Sequence, residues 1–167
     1  MSDTDGIRLV LEQEGAYAFK VSFDGTTLEA LHTDEPAPLG GGAGPNPSAL
    51  LLAGVANCLS ASLVFALRKF KNSPGPIRAE ISARKERNAE GRWRIPRAEV
   101  TIRLADPAAQ LEHFERVLAQ FEQFCIVTQS VREGMQVDVK IVDADGAEFI
   151  PGDELMRVSA RGGRDDR

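Results

Sequence analysis

Two thiols, Cys58 and Cys125, are the side chains of this chain best suited to chemistry. A thiolate is a strong nucleophile. Oxidised once it becomes a sulfenic acid, which a second thiol within reach can close to a disulfide. Cys58 lies inside the uncharged run Ser48–Leu67, and Cys125 stands where a short helix is predicted to start. A helix N-terminus favours a thiolate, whereas apolar burial disfavours it. On position alone, Cys125 therefore reads as the more nucleophilic, and Cys58 needs a cation or hydrogen-bond donors from another segment. The competing reading is packing, because free cysteine is among the most buried residue types.

Other candidates carry less. His32 falls at a strand end and His113 among solvated residues; neither has a second ligand at metal spacing, so both read as surface histidines and no metal is expected. The run Gly40-Gly41-Gly42-Ala43-Gly44 has the composition of a phosphate cradle. It lacks the Lys-Ser or Lys-Thr sequel, and Pro45 removes an N–H, so it reads as a flexible lead-in to the next helix. Trp93 between Arg92 and Arg94 reads as a cross-strand aromatic flanked by solvated charges.

The elements that position the thiols follow from periodicity. Asn46-Pro47 is a cap followed by a first-turn proline, and opens a helix that runs to Arg68-Lys69, cations suited to its C-terminal end. Apolar or small residues occupy every face of it, which predicts burial on several sides. Its length matches the roughly 20 residues that a bilayer demands. Asn57, Ser60 and Ser62 near its centre, with amphipathic strands on both sides, favour a core helix over a membrane span. Ahead of it, Ile7–Glu12, Tyr17–Phe23 and Thr27–His32 read as strands, with Asp24-Gly25 a hairpin turn between the last two.

Beyond the break Asn72-Ser73-Pro74-Gly75-Pro76, two strands turn Ala79, Ile81, Ala83 and Ala98, Val100, Ile102, Leu104 inward around the turn Asn88–Gly91. Asp106-Pro107 opens a second predicted helix, with Leu111, Phe114, Leu118 and Phe121 on one face. A third runs from Cys125 to a stop at Gly134, and the last strand sets Met135, Val137, Val139 and Ile141 inward. The order βββ-α-ββ-α-α-β is α+β with a mostly antiparallel sheet and a long buried central helix.

Composition sets the context. A length of 167 residues suits one domain, and a net charge of −5 argues against a nucleic-acid partner. The acidic, polar start Met1-Ser2-Asp3-Thr4-Asp5 is not a signal peptide, which makes the cytoplasm the expected location.

The stretch Pro45-Asn46-Pro47-Ser48-Ala49-Leu50-Leu51-Leu52-Ala53-Gly54, followed by Cys58 eleven residues after Pro47, resembles the core-helix signature of the OsmC/Ohr family of osmotically inducible and organic-hydroperoxide-resistance proteins. Pro38-Leu39-Gly40-Gly41-Gly42 before it, Cys125-Ile126-Val127 and the Met135–Val142 strand after it fit the same family in the same order. The resemblance covers about Ile7–Val142. It implies one OsmC-like domain over residues 1–142, followed by a charged tail at 143–167 that includes Arg157, Arg161, Arg164 and Arg167.

The resemblance further implies an intertwined homodimer and a thiol peroxidase that needs no metal, haem or other cofactor. Cys58 matches the peroxidatic cysteine that attacks an organic hydroperoxide, Cys125 the resolving cysteine, and a dithiol reductant resets the pair. Leu51, Val55 and Phe65 would line an apolar substrate site; no nucleic acid or membrane is expected as partner. Two features depart from the pattern. Ser48 and Ala49 stand where relatives carry a glutamate that helps to hold an arginine at the thiolate, and Ile126 stands where a proline is usual. Arg8 and Lys20 are the nearest cations in the first strands. The alternative reading is an OsmC-like protein without efficient peroxidase activity that binds a small apolar ligand or senses oxidation.

Overall fold

A computed structural model describes residues 6–151. The expected acidic start and the arginines of the C-terminal tail lie outside the described residues. The residues group into two compact units, Met1–Leu51 and Leu52–Arg167, with the boundary inside the long helix.

In the first unit, β1 (Leu9–Gln13), β2 (Phe19–Phe23) and β3 (Leu31–Thr33) form an antiparallel sheet in that order. Gly25 takes φ 71° at the predicted Asp24-Gly25 turn, a conformation open to glycine. The third strand is shorter than predicted and begins later. The Thr26 hydroxyl takes the Leu28 N–H at 3.2 Å, a local bond that competes with strand pairing there. Within this sheet Val21 is buried, while Leu9, Val10 and Leu11 are exposed.

The helix α1 (Pro47–Lys69) starts where the cap rule places it: Asn46 Oδ1 accepts the Ala49 N–H at 2.9 Å. Its buried residues, Val55, Leu59, Ser62, Leu63, Ala66 and Leu67, share one stripe. Ala53, Asn57, Ala61 and Phe65 on another side are exposed in the single chain, so the all-round burial expected from its composition is not met within one chain.

The second unit is built on a four-stranded sheet in the order β4 (Ile77–Ala83), β7 (Arg97–Leu104), β8 (Gln136–Val142), β9 (Glu148–Phe149). A separate two-stranded hairpin, β5 (Glu86–Arg87) and β6 (Trp93–Arg94), caps the β4–β7 connection. Trp93 sits across from Arg87, whose Cζ lies 4.4 Å from the ring centroid, which is the cross-strand role expected of it. All pairings are antiparallel except β7 with β8. That exception follows from connectivity, because a parallel pair needs a long crossover and α2 (Phe114–Gln120) and α3 (Ile126–Val131) supply it.

The second helix begins later than the Asp106-Pro107 signal predicts. Asp106 spends its carboxylate on the Gly75 N–H at 2.7 Å, and the Ala108 N–H goes to Asp143 at 2.9 Å. Without its cap, the segment makes only a 3-10 turn at Ala108–Gln110 before α2. The fold also continues past Val142, where the sequence reading placed the start of the tail. Asp143 is buried, accepts the N–H groups of Asp145 and Ala147, and turns the chain into β9.

One apolar cluster joins these elements. Val55, Leu59, Leu63 and Leu67 of α1 pack with Ala98, Val100, Ile102 and Leu104 of β7, Val137, Val139 and Ile141 of β8, and Phe114, Val117 and Phe121. Cys125 belongs to this cluster, and Cys58 is packed against it.

Candidate functional site: a thiol pair

The crossover that makes β7 and β8 parallel also delivers the second thiol. Phe121 anchors the turn Phe121–Phe124 in the core, and Cys125 follows at the N-cap position of α3. The Cys125 side chain makes no cap bond to the helix backbone. Its Sγ bonds instead to the Thr128 hydroxyl, 2.9 Å from Oγ1, and both residues are fully buried. Cys58 comes from the middle of α1 and is only half-buried. Both cysteines are free, both belong to or pack against the same apolar cluster, and Cys58 is near enough to push the Cys125 thiol upward. The structure thus brings together the two candidates named from the sequence.

Their relative character differs from what position alone suggested. Burial pushes the Cys125 thiol above the ordinary thiol range, and the neighbouring Cys58 pushes it further. The Thr128 side chain and amide pull in the opposite direction but do not win. A place at a helix N-terminus therefore does not make Cys125 the ready nucleophile. The more accessible thiol is Cys58.

Phe124, next to Cys125 in sequence, meets Phe65 of α1 edge to face with centroids 5.2 Å apart, and Lys69 Nζ lies 5.0 Å from the Phe124 centroid. Both rings retain exposed surface. Val55, named from the sequence as a lining residue, is fully enclosed in the core and faces no open space. Thr128 was not singled out in the sequence. Its spacing of three from a helix-initiating residue, the spacing of a capping box, was the available signal.

The remaining candidates fall elsewhere. His32 pairs with Glu14 at 2.8 Å, and His113 stacks beside Phe70 at φ 54° just before α2. Arg8 is paired with Asp24. The glycine run is an anion cradle already filled by the chain itself: Asp34 accepts the N–H groups of Glu35, Gly41 and Ala43 at 2.8, 2.9 and 3.2 Å. The Ala43 N–H above all, then those of Gly41 and Glu35, hold the Asp34 carboxyl below its ordinary range against the opposing effect of burial. A cavity of 490 Å³ is lined by ion-paired groups, Arg97 with Asp138 and Arg132 with Glu122, and by neither cysteine. Among the described residues, no group of three His, Cys, Asp or Glu side chains is placed to hold a metal.

The α+β scaffold thus carries two free thiols in one apolar cluster, one enclosed and one half-buried. The family model for OsmC-like protein matches residues 40–140, and the chain belongs to that family. Among solved structures, an OsmC-like protein of unknown function from Vibrio cholerae matches with a TM-score of 0.69 at 14% identity, over 83% of this chain and 100% of that one. An organic hydroperoxide resistance protein from Elizabethkingia anophelis matches with a TM-score of 0.65 at 18% identity, over 86% and 99%. That of Bacillus subtilis matches with a TM-score of 0.60 at 19% identity, over 81% and 97%. These likenesses establish a shared fold. No curated protein matches the sequence.

Proposed function

We propose that this chain is a thiol-dependent peroxidase that reduces organic hydroperoxides, with Cys58 as the peroxidatic and Cys125 as the resolving cysteine. The observation that carries the reading is the convergence of two free thiols from distant segments, one half-buried and one enclosed. The Cys58 thiolate attacks the distal peroxide oxygen and the O–O bond breaks. The departing alkoxide takes up a proton as an alcohol, leaving Cys58 as a sulfenic acid. Cys125 then attacks the Cys58 sulfur, water leaves and a disulfide closes. An external dithiol returns both thiols by exchange. No cofactor enters this cycle. The exposed aromatic pair Phe65 and Phe124 favours a substrate with an organic substituent.

The same reading includes a cytoplasmic homodimer, supported by apolar surface left open in the single chain on β1 (Leu9, Leu11) and α1 (Phe65). Ser48 and Ala49, in place of the family's usual glutamate, favour a second reading: an OsmC-like protein that binds a small apolar ligand or records oxidation without rapid turnover.

One experiment separates the two. The reduced protein is given a small excess of cumene hydroperoxide, free thiols are counted, and the Cys58–Cys125 peptide pair is followed by mass spectrometry. Rapid loss of both thiols to an intramolecular disulfide, reversed by a dithiol, supports the peroxidase. Thiols that oxidise no faster than free cysteine refute it and leave the binding reading.

A further inference from the structure

Thr128 is the one hydroxyl seen bonded to a thiol of the pair, and it is as fully buried as the sulfur it touches. No buried polar side-chain atom among the described residues lacks a partner, so this bond accounts for a hydroxyl that would otherwise be costly to enclose. A threonine hydroxyl can both accept and donate. Towards the protonated Cys125 thiol, 2.9 Å away, it serves as the acceptor of the S–H. Rotation about the Cβ–Oγ1 bond lets the same group donate to a thiolate without any movement of heavy atoms.

We propose that Thr128 is the positioning residue of the resolving step, holding the Cys125 sulfur in place and supplying the hydrogen bond that the buried sulfur needs as it gives up its proton. The inference rests on the peroxidase reading and adds a residue to it. In the step itself, Cys125–SH loses its proton and its sulfur attacks the Cys58 sulfenic sulfur. The S–S bond forms as the S–O bond breaks, and the leaving hydroxide combines with that proton as water. Cys125 is oxidised and the Cys58 sulfur is reduced.

The surroundings make the hydroxyl consequential. From α1, the titratable group facing Cys125 is Cys58, whose negative charge would oppose a second thiolate. In the preceding turn Glu122 is ion-paired with Arg132, and Lys69 lies over the Phe124 ring. From β7 and β8 the cluster presents apolar side chains such as Val100, Ile102, Val139 and Ile141. Thr128 is therefore the polar side chain that opposes the effect of burial on Cys125.

The test uses full-length Thr128→Val, which keeps the shape and loses the hydroxyl, with Thr128→Ala as a smaller version of the same loss and Thr128→Ser as the rescue. In a Cys58→Ser background, thiolate absorbance at 240 nm titrates Cys125 alone. Val and Ala are expected to raise its midpoint by about one pH unit, and Ser to leave it in place. With Cys58 present, the sulfenic acid formed from one equivalent of cumene hydroperoxide is expected to persist about tenfold longer at neutral pH in Thr128→Val, a change equivalent to one pH unit, while the first oxidation keeps its rate. An unmoved midpoint in Val and Ala, or an equal shift in Ser, overturns the assignment. If no sulfenic acid forms in any variant, the peroxidase reading fails, and the titration still decides the role of Thr128.

Discussion

Asn72 is expected to hold the two thiol-bearing segments in their mutual position. It follows the end of α1, just after Lys71 at φ 64°, and is buried. Its Nδ2 donates to the Leu67 carbonyl at 3.2 Å and to the Glu112 carbonyl at 2.9 Å, and its Oδ1 accepts the Glu112 N–H at 2.7 Å. One side chain thus ties the helix that carries Cys58 to the segment that leads into α2 and Cys125. Asn72→Ala removes three hydrogen bonds, each with a net worth of about 1 kcal/mol. The Leu67 carbonyl keeps the Asn72 backbone N–H at 3.0 Å, and Glu112 is exposed enough to recruit water. The loss should therefore come to about 2–3 kcal/mol. Urea unfolding is the assay, with an unchanged m-value confirming that native-state stability has moved. Asn72→Asp keeps the acceptor but sets a carboxylate against two carbonyls, so it should be at least as destabilised at neutral pH and recover in part on acidification. A cost below about 0.5 kcal/mol for Asn72→Ala, the low end for a single bond, would refute the reasoning.

Three further outcomes are expected. Phe121→Ala should cost about 3–5 kcal/mol by urea unfolding, since it empties a fully enclosed site beside the turn that presents Cys125. Asp34, whose carboxyl is held below its ordinary value, stabilises the native state above pH 3.8, and that contribution is lost as the pH falls through its lower native-state value. Asp34→Asn should thus lower the melting temperature at pH 7 and flatten its decline in acid, measured by thermal scans across pH 2–7. Cys58→Ser should abolish cumene hydroperoxide consumption, whereas Cys125→Ser should consume one equivalent and stop with Cys58 as a sulfenic acid, read by intact mass.

Much of the scaffold is legible locally because its signals are local. Asn46 caps α1 through Ala49, Gly25 and Gly91 take the positive φ that their turns require, and Ala98, Val100, Ile102 and Leu104 all face the core. What escaped the sequence is decided by partners far along the chain. Asp106 carries a sound cap signal, yet Gly75 claims its carboxylate and Asp143 takes over Ala108, so α2 begins at Phe114. The glycine run reads as flexible, but Asp34 organises it tightly. A Cβ at Gly40 would fall 2.3 Å from Asp34 Oδ1, and one at Gly44 would fall 2.1 Å from the His32 carbonyl. These glycines serve close packing around an internal carboxylate, which no local pattern announces.

The thiols illustrate the same division. Their identity as a pair came from motif order, while their relative character depends on depth of burial, a property of the assembled cluster. Two effects compete at Cys125, and their sizes decide the outcome. A helix of six residues offers at most the short-range benefit of its N-terminus, which reaches Cys125 through the Thr128 amide. Full enclosure among Val, Ile and Phe side chains acts on the sulfur without such a limit, and it is the largest influence there. Under the proposed function, a thiol kept protonated until its partner is oxidised would not waste peroxide on its own account, and would become useful when a sulfenic acid forms beside it. In the proposed cycle the labour is thus divided by burial: the half-exposed Cys58 would meet substrate, and the enclosed Cys125, steadied by Thr128, would react with Cys58.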